Sequence, residues 1–373
     1  MSTTARQWLE RIRALPLPSR VRVMNVCGGH ERSITMAGLR GVLPESIELI
    51  PGPGCPVCIC PEEDVHEAVR QALERDAILA AFGDMLRVPV NVPRAEARSL
   101  EQARARGADV RPIASPREAL ALARANPGRA VVFFAAGFET TTAPVAAMLA
   151  EDPPPNLEIL LSARRTWPAV AMLLDSEAPG FDALIAPGHV ATIMGPEEWS
   201  FVVDKHELPA AVAGFTPESL LGALYSVLRQ RAEDRRFLDN CYPEVVRPGG
   251  NPVARAHMER ALEVVDADWR GIGSIPRSGY ALAPALAGRD ARRHWPVDPG
   301  ARRRAGQMPP GCDCARVVLG RIYPDQCALY GRACTPRHPI GPCMVSDEGA
   351  CRIWWAGGVR EPRAEATAGA GTV

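Results

Sequence analysis

The sequence lacks both a net charge and a long uninterrupted hydrophobic run. Its 373 residues carry 43 lysines and arginines against 43 aspartates and glutamates, which leaves no long-range electrostatic field of one sign. Proteins that bind nucleic acid or anionic membranes normally use such a field, so neither kind of partner is expected. The most apolar stretch, residues 130–150, is interrupted by Glu139 and Pro144, which argues against a membrane span. Residues 1–17 lack the apolar core of a secretory signal, so we expect a cytoplasmic protein.

The sequence also lacks the paired C-x-x-C motifs of a structural zinc site, although it contains 11 cysteines. Cytosolic thiols are kept reduced, so cysteines in an enzyme-sized chain more often ligate metal or perform redox chemistry than form structural disulfides. The odd number of cysteines agrees with that interpretation. Four cysteines lie within the first 60 residues and six within residues 312–351, which predicts two separate thiol sites.

Short apolar runs alternate with segments of helical composition from about residue 21 to residue 213, a pattern typical of parallel α/β units. The predicted strands are residues 21–26, 47–50, 78–82, 130–136, 157–161, 183–186 and 209–213. The predicted helices are residues 62–75, 95–106, 116–125, 141–150 and 217–231. A break at residues 126–128 separates two halves of similar pattern. We therefore expect two small parallel-sheet α/β domains, residues 18–127 and 128–240, with a cleft between them.

The pattern changes after about residue 240, where one more predicted helix, residues 252–265, is followed by loops dominated by Gly, Pro and Arg. The apolar residues there are too scattered to offset the entropy cost of ordering so long a segment, which favours a metal cluster as the stabilising element. We expect residues 241–373 to form a loop-rich iron-sulfur domain, with residues 1–17 as an N-terminal helix.

Cys27 is a candidate reactive thiol, in the run Cys27-Gly28-Gly29-His30-Glu31. It follows the first predicted strand, at the carboxyl edge of a parallel sheet, where ligands bind in such folds. Proximity to a helix N-terminus and to His30 favours the thiolate, which is the form that binds metal or attacks an electrophile. The alternative is a buried cysteine beside a turn, which is common among free cysteines.

Cys55 and Cys58 form a C-x-x-C pair flanked by Gly52-Pro53-Gly54, again between a predicted strand and a predicted helix. Such pairs either switch between dithiol and disulfide or ligate a metal. Because a second C-x-x-C is missing nearby, redox switching is favoured over structural zinc, while an iron site shared with Cys27 stays open. Cys60 lies two residues further on and is a competitor in either chemistry.

Polar residues also follow other predicted strands. Glu139 lies in the run 137–142, His189 follows Pro187-Gly188, and Asp84 follows Gly83. Each of these motifs alone is more often a capping turn than a catalytic group. As a set they outline a cleft in which Glu139 faces a site.

The C-terminal cysteines have an unusual spacing, Cys327-x6-Cys334-x8-Cys343-x7-Cys351, and Cys312-x-Cys314 precedes them. This spacing matches neither a tetrahedral zinc pattern nor a ferredoxin run. Four thiolates on loops satisfy a 4Fe-4S cluster, and the two remaining cysteines are then available as a redox pair beside it. One or two structural zinc ions are the alternative.

Together these motifs closely resemble the HypD family of nickel-iron hydrogenase maturation proteins, over nearly the whole chain. The resemblance is carried by residues 27–31, 52–58, 137–142, 187–189, 334–336, 341–346 and 348–351. It implies two α/β domains plus a domain that carries one 4Fe-4S cluster. It also implies two partners, a small HypC-like chaperone and a HypE-like cyanide donor. With the chaperone, the protein would hold the iron on which two cyanides and one carbon monoxide are assembled.

The resemblance also assigns roles to residues. Cys27 would ligate the iron with a cysteine from the partner, His30 would lie beside it, and Cys55 and Cys58 would be the redox pair or further iron ligands. The favoured cluster ligands are Cys327, Cys334, Cys343 and Cys351, and Cys312 or Cys314 are possible substitutes. The chain departs from the family pattern where Cys60 replaces a usual threonine, Thr216 a usual acidic residue and Val90-Asn91 a usual glycine.

Two other functional classes compete with an assembly scaffold. A stand-alone thiol oxidoreductase would pass electrons from the cluster to Cys55 and Cys58 and would turn over a disulfide substrate without a partner. A structural adaptor would bind zinc in place of iron and would show no visible absorption.

Overall fold

The computed structural model describes residues 2–296 and 308–362. Its strands are β1 (Val21–Asn25), β2 (Ile47–Pro51), β3 (Ala77–Phe82), β4 (Val110–Ile113), β5 (Ala130–Gly137), β6 (Leu157–Arg164), β7 (Ala183–Pro187), β8 (Ala210–Ala213), β9 (Leu238–Asn240), β10 (Leu262–Trp269) and β11 (Gly273–Leu282).

The α-helices of the described residues are α1 (Thr3–Arg13), α2 (Gly28–Met36), α3 (Pro56–Ile59), α4 (Glu62–Glu74), α5 (Leu100–Ala105), α6 (Pro116–Ala125), α7 (Glu139–Leu149), α8 (Trp167–Leu174), α9 (Gly188–Met194), α10 (Phe201–Asp204), α11 (Pro217–Ala232), α12 (Pro252–Ala261), α13 (Ala291–His294), α14 (Cys314–Val318) and α15 (Ala350–Ala356). Within these two described ranges, no helix is both long enough and apolar enough to cross a bilayer.

The strands form two sheets. Sheet 1 has the order β2-β1-β7-β8-β9, and all its neighbouring strands are parallel. Sheet 2 has the order β10-β11-β6-β5-β3-β4, in which β3 to β6 are parallel and the β10–β11 hairpin adds antiparallel to β6. The central strands are buried on both faces, which explains their continuous Val, Ile, Leu and Ala composition. The predicted class, two parallel-dominated α/β sheets with a loop-rich C-terminal region, is confirmed.

The two sheets are not built from the consecutive segments 18–127 and 128–240. Sheet 1 takes its strands from residues 21–51 and 183–240, whereas sheet 2 takes them from residues 77–164 and 262–282. The break at residues 126–128 lies between α6 and β5 and joins two parts of the same sheet. A strand's apolar run shows that it is buried but does not show which strand lies beside it, so the pairing was not readable from the pattern.

The region after residue 240 contains more regular structure than the sequence predicted. The helix expected over 252–265 ends at Ala261, where the chain turns directly into β10. Most β10 side chains are at least partly exposed, so the strand lacks the alternating apolar signal by which strands are recognised. The helix expected over 95–106 is likewise shorter, because Ser99 caps α5 by accepting a hydrogen bond from the Gln102 amide.

The cysteine-rich segment contains short helices and turns, and it packs against both sheets. Helix α15 lies against α2, and α14 lies against α3. These contacts bring the C-terminal cysteines to the side of the molecule on which the two N-terminal cysteine motifs lie.

Candidate functional site

Cys27 lies at the carboxyl end of β1, where its extended backbone forms the N-cap of α2. Its side chain lines a small pocket, as the sequence position predicted for a sheet edge. The same pocket is lined by Gly28, Gly54, Cys55, Cys58 and Glu348. The structure therefore brings the two N-terminal cysteine motifs together and adds a carboxylate from the cysteine-rich segment.

Two glycines allow this close approach. A Cβ at Gly54 would lie 2.5 Å from the backbone nitrogen and the Cα of Cys27. A Cβ at Gly28 would lie 2.5 Å from the carbonyl oxygen of Glu348. The Gly28 amide also donates a hydrogen bond of 3.2 Å to the Gly54 carbonyl. Backbone thus packs on backbone around Cys27, and no side chain fits at either position.

Cys55 and Cys58 are joined by a disulfide, and their Cα atoms are 5.3 Å apart. Cys55 is the N-cap of the one-turn helix α3, and its Sγ accepts a hydrogen bond of 3.1 Å from the Cys58 amide. Pro56 occupies the first helical position, where its missing N–H costs nothing. Both cysteines are buried, and both line the pocket that they share with Cys27.

Burial raises the pKa of the Cys27 thiol to about 12. Hydrogen bonds from the amides of His30 and Gly29 oppose this rise, and the charge of Glu348 adds to it. The helix N-terminus therefore favours the thiolate, as the sequence suggested, but desolvation has the larger effect on the pKa. A metal cation that binds Cys27 has to displace a proton.

The His30 imidazole points away from the pocket. Its Nε2 lies 3.1 Å from the carbonyl oxygen of Ala213 and donates to it, so Nδ1 is the unprotonated nitrogen and has no partner in the described residues. The ring packs on Phe215, and the ring of His189 stacks on the same phenyl group at 3.9 Å. Burial lowers the pKa of His30 to about 4, so the ring is neutral at pH 7. The backbone amide of His30 is hydrogen-bonded to the Cys27 sulfur.

Glu31 is a buried residue to which the sequence gave no role beyond its motif. Its carboxylate pairs with Arg40 at 2.8 Å and accepts hydrogen bonds from Trp354 and Asn25. Burial works to raise the pKa of Glu31, but the charge and hydrogen bonds of Arg40 and the other two donors hold it below its ordinary value. This ionised carboxylate ties α2 to α15 of the cysteine-rich segment.

Glu348 is a second carboxyl whose role the motif alone did not reveal. Its side chain reaches solvent at the mouth of the Cys27 pocket. Desolvation, followed by the charge of Asp84, raises the pKa of Glu348 to about 7. Its position is held by Ser346, which accepts a hydrogen bond from the Glu348 amide and donates one to Asp84.

Glu139 does not line the Cys27 pocket. It begins α7 at the carboxyl end of β5, and its carboxylate accepts hydrogen bonds from the amide and the hydroxyl of Thr166. Burial raises the pKa of Glu139. Burial and the charge of Glu139 together raise the pKa of nearby Glu198 to about 8. The structure therefore places Glu139 in a separate buried acidic pair on sheet 2.

The C-terminal thiols converge. Cys343 and Cys351 contact each other and Cys314, and the Sγ atoms of Cys312 and Cys314 are 3.4 Å apart. Cys327 and Cys334 lie near enough for the charges of Cys312 and Cys314 to raise their pKa values, although burial is the larger cause. Hydrogen bonds from Cys314 and Cys343 lower the pKa of Cys351 to about 6.

This donor set fits a soft metal, because thiolates select iron-sulfur clusters, zinc and copper over harder ions. Within residues 2–296 and 308–362, however, no three His, Cys, Asp or Glu side chains are arranged as a ready-made metal site. The thiols thus share one region of loops without being fixed in a ligand geometry. Contact of Cys314 with two of the favoured ligands keeps it among the possible substitutes.

Cys60 is the C-cap residue of α3 and is buried, and its Sγ lies 3.3 Å from the hydroxyl of Ser162. That hydroxyl in turn donates to Asp64, which is paired with Arg292. Burial, together with Asp64, raises the pKa of Cys60 to about 12. The thiol belongs to a buried polar network with Ser162 and Asp64 and does not line the Cys27 pocket.

Comparison with known proteins agrees with these motifs. The family model described as "HypD: Hydrogenase formation hypA family" matches residues 3–358. The hydrogenase maturation factor HypD of Azotobacter vinelandii is 40% identical over 366 residues, which cover 95% of this chain and 94% of that protein.

Two further relatives also match this chain over most of their length. The HypD protein of Rhodobacter capsulatus is 39% identical over 345 residues, 91% of this chain and 90% of that protein. The HypD protein of Escherichia coli K12 is 38% identical over 342 residues, 90% of this chain and 88% of that protein. With matching motifs and matching length, this chain belongs to the HypD family of hydrogenase maturation factors.

Proposed function

We propose that this protein is a scaffold on which, together with a HypC-like chaperone, the Fe(CN)2CO unit of a nickel-iron hydrogenase is assembled. One observation carries the proposal. The free thiol of Cys27 lines the same pocket as the Cys55–Cys58 disulfide, and Glu348 of the cysteine-rich segment lines it as well. A metal ligand and a two-electron redox group thus share one small cavity.

Cys27 is the residue proposed to hold the iron, which is cargo. A soft thiolate suits low-spin iron that carries strong-field cyanide and carbonyl ligands. The amides of Gly29 and His30, which point at its sulfur, support the thiolate once the proton has left. A cysteine of the chaperone would supply a second thiolate, and a HypE-like protein would supply the cyanide. His30 contributes through its backbone, since its neutral ring is bound to Ala213.

Cys55 and Cys58 are proposed to act as the redox pair beside the iron. Reduction of this disulfide to two thiols takes up two electrons and two protons. When bound to Cys327, Cys334, Cys343 and Cys351, or with Cys312 or Cys314 in place of one of them, a 4Fe-4S cluster supplies single electrons at low potential. The electrons would originate from an external one-electron reductant. The contact between α14 and α3 places the helix that begins at Cys314 beside the helix that carries Cys58.

The test is an infrared spectrum of the protein purified anaerobically from cells that also express the chaperone. We expect cyanide and carbonyl stretching bands in the wild type and their loss in Cys27→Ala. Cys241→Ala is the matched control, since Cys241 is also a half-buried free thiol but follows β9 at the far edge of sheet 1. Bands that persist in Cys27→Ala would overturn the assignment of the ligand, and bands absent from the wild type would overturn the scaffold.

A stand-alone thiol oxidoreductase is the second candidate, and the preformed disulfide beside a free thiol favours it. Such an enzyme would reduce a small disulfide substrate catalytically without the chaperone. Zinc in place of iron on metal analysis, without visible absorption, would instead indicate a structural adaptor.

A further inference from the structure

The β10–β11 hairpin of sheet 2 carries a buried arginine at its tip. Arg270 directly follows β10, and Gly271 after it has a φ of +69°, which turns the chain back. A Cβ at Gly271 would lie 3.0 Å from the Cβ of Ala315, a residue of α14. The tip of the hairpin therefore packs against α14 of the cysteine-rich segment.

Arg270 also contacts α3, the helix that carries Cys58. Its amide donates a hydrogen bond of 3.0 Å to the carbonyl of Ile59, the last residue of α3. Its Nη2 donates to the Pro89 carbonyl at 2.8 Å and lies 3.7 Å from a carboxylate oxygen of Glu62. One arginine thus lies between the helix that carries Cys58 and the segment that carries the C-terminal cysteines.

The guanidinium is incompletely satisfied. The Arg270 side chain is 2% exposed, yet its Nε and Nη1 find no hydrogen-bond partner in the described part of the chain. One carboxylate oxygen of Glu62, which lies 3.7 Å from Nη2, also has no hydrogen-bond partner in the described residues. Buried N–H groups without acceptors are costly, and their persistence points to an acceptor that binds there.

The C-terminal cysteines lie next to the tip of this hairpin. Gly271 packs on Ala315, and Ala315 directly follows Cys314 in α14. The Sγ atoms of Cys314 and Cys312 are 3.4 Å apart, so thiols that are proposed to bind metal lie beside the hairpin that carries the incompletely satisfied guanidinium.

We propose that Arg270 sets the reduction potential of the metal-sulfur cluster held by the C-terminal cysteines, by placing a buried positive charge and two free N–H donors beside it. The inference rests on the proposed function, in which those cysteines bind a 4Fe-4S cluster. Each electron that enters such a cluster adds a negative charge. A fixed positive charge nearby stabilises the reduced form, and hydrogen bonds to sulfur act in the same direction.

A purely structural role is the competing explanation, because Arg270 also joins the hairpin to α3 and pairs with Glu62. Substitutions that change the charge of a side chain with little change of its shape distinguish the two roles. Arg270→Gln removes the charge, Arg270→Lys keeps it, and Glu62→Gln removes only the counter-charge.

The experiment is a potentiometric titration of the anaerobically purified full-length protein, followed by visible absorption and electron paramagnetic resonance. Iron and acid-labile sulfide are measured first in every variant. We expect Arg270→Gln to reduce the equilibrium constant for one-electron reduction by about tenfold, a fall of about 59 mV. Arg270→Lys should stay near the wild type, and Glu62→Gln should shift the potential upward. Arg293→Gln, which removes an exposed charge on α13, is the control and should change nothing.

The outcomes are distinct. Absence of iron and sulfide from the wild type would overturn the proposed cluster and this inference with it. A loaded Arg270→Gln protein with the wild-type potential would overturn this inference alone. If Arg270→Gln fails to hold a cluster, Glu62→Gln and Arg270→Lys test the inference in its place. A reduction potential that is unchanged in Glu62→Gln and lowered in Arg270→Lys would contradict an effect of charge.

Discussion

The indole Nε1 of Trp354 donates a hydrogen bond of 2.6 Å to Oε1 of Glu31, and both side chains are buried. This bond joins the cysteine-rich segment to the helix that begins at Cys27. The carboxylate oxygens of Glu31 also accept from Arg40 and Asn25, so one ionised group holds three parts of the chain together. The position of Glu348 over Cys27 depends on this junction, because Glu348 precedes the same C-terminal helix by two residues.

Replacement of Trp354 by Phe should destabilise the protein and loosen the Cys27 pocket. The change removes the indole donor of a buried carboxylate oxygen, which then keeps only the longer bond from the Thr35 hydroxyl at 3.4 Å, and such a loss typically costs about 1–3 kcal/mol of unfolding free energy. Urea unfolding measures the loss, and alkylation of Cys27 under native conditions should become faster. Trp355→Phe is the control, since the Trp355 indole forms no hydrogen bond within the ranges described. Equal stability of the two variants would contradict the role of the Trp354 bond.

Glu31 should make stability depend on pH in the acidic range. Its pKa is lowered in the folded protein, whereas the unfolded chain has a value of about 4.3. The stabilisation is therefore complete above about pH 4.3 and is lost as the pH falls through the lower folded value. The difference in unfolding free energy between wild type and Glu31→Gln should be constant from pH 6 to 7 and shrink below about pH 4. A difference that grows on acidification would show that Glu31 is protonated in the folded state.

Gly54→Ala should disturb the pocket more than its small size suggests. The new Cβ would overlap the backbone of Cys27, which cannot rotate away as a side chain could. Overpacking of this kind costs about 1–3 kcal/mol, and we expect slower formation of the Cys55–Cys58 disulfide as well. Gly41→Ala is a matched control, because nothing described lies within 4 Å of a Cβ there. A Gly54→Ala protein with wild-type stability would show that the loop at 52–54 shifts freely.

Cys60→Thr should be nearly neutral for stability. The threonine hydroxyl replaces the thiol as a partner of Ser162, so we expect a change below about 1 kcal/mol. Cys60→Val, which has a similar shape but no polar atom, should cost more. Mass spectrometry after alkylation should show the Cys55–Cys58 disulfide intact in both variants. A mixed disulfide that involves Cys60 in the wild type would contradict its place in the buried polar network with Ser162 and Asp64.

The sequence pattern predicted strands β1, β2, β3, β5, β6, β7 and β8 and the position of Cys27, but it missed the short edge strands β4 and β9. Strands β5 and β7 are continuous apolar runs with a glycine at or directly after their last residue, so their carboxyl ends could be predicted from the sequence. The pattern failed at β10 and β11, which are largely exposed and pair mainly with each other. An exposed hairpin has little apolar periodicity, and its strands became visible only through their pairing.

The sequence by itself determined the family, the class of fold and a set of candidate site residues, because motifs and burial patterns are local properties. Only the tertiary structure decided which of those residues meet. Cys27 shares a pocket with Cys55, Cys58 and Glu348, whereas Glu139 lies in a separate acidic pair and the His30 ring faces Ala213. It also decided the charge of each group, since desolvation and partners distant in sequence raise the pKa of Cys27 and lower that of Glu31. These effects depend on contacts between segments hundreds of residues apart, and no local pattern encodes them.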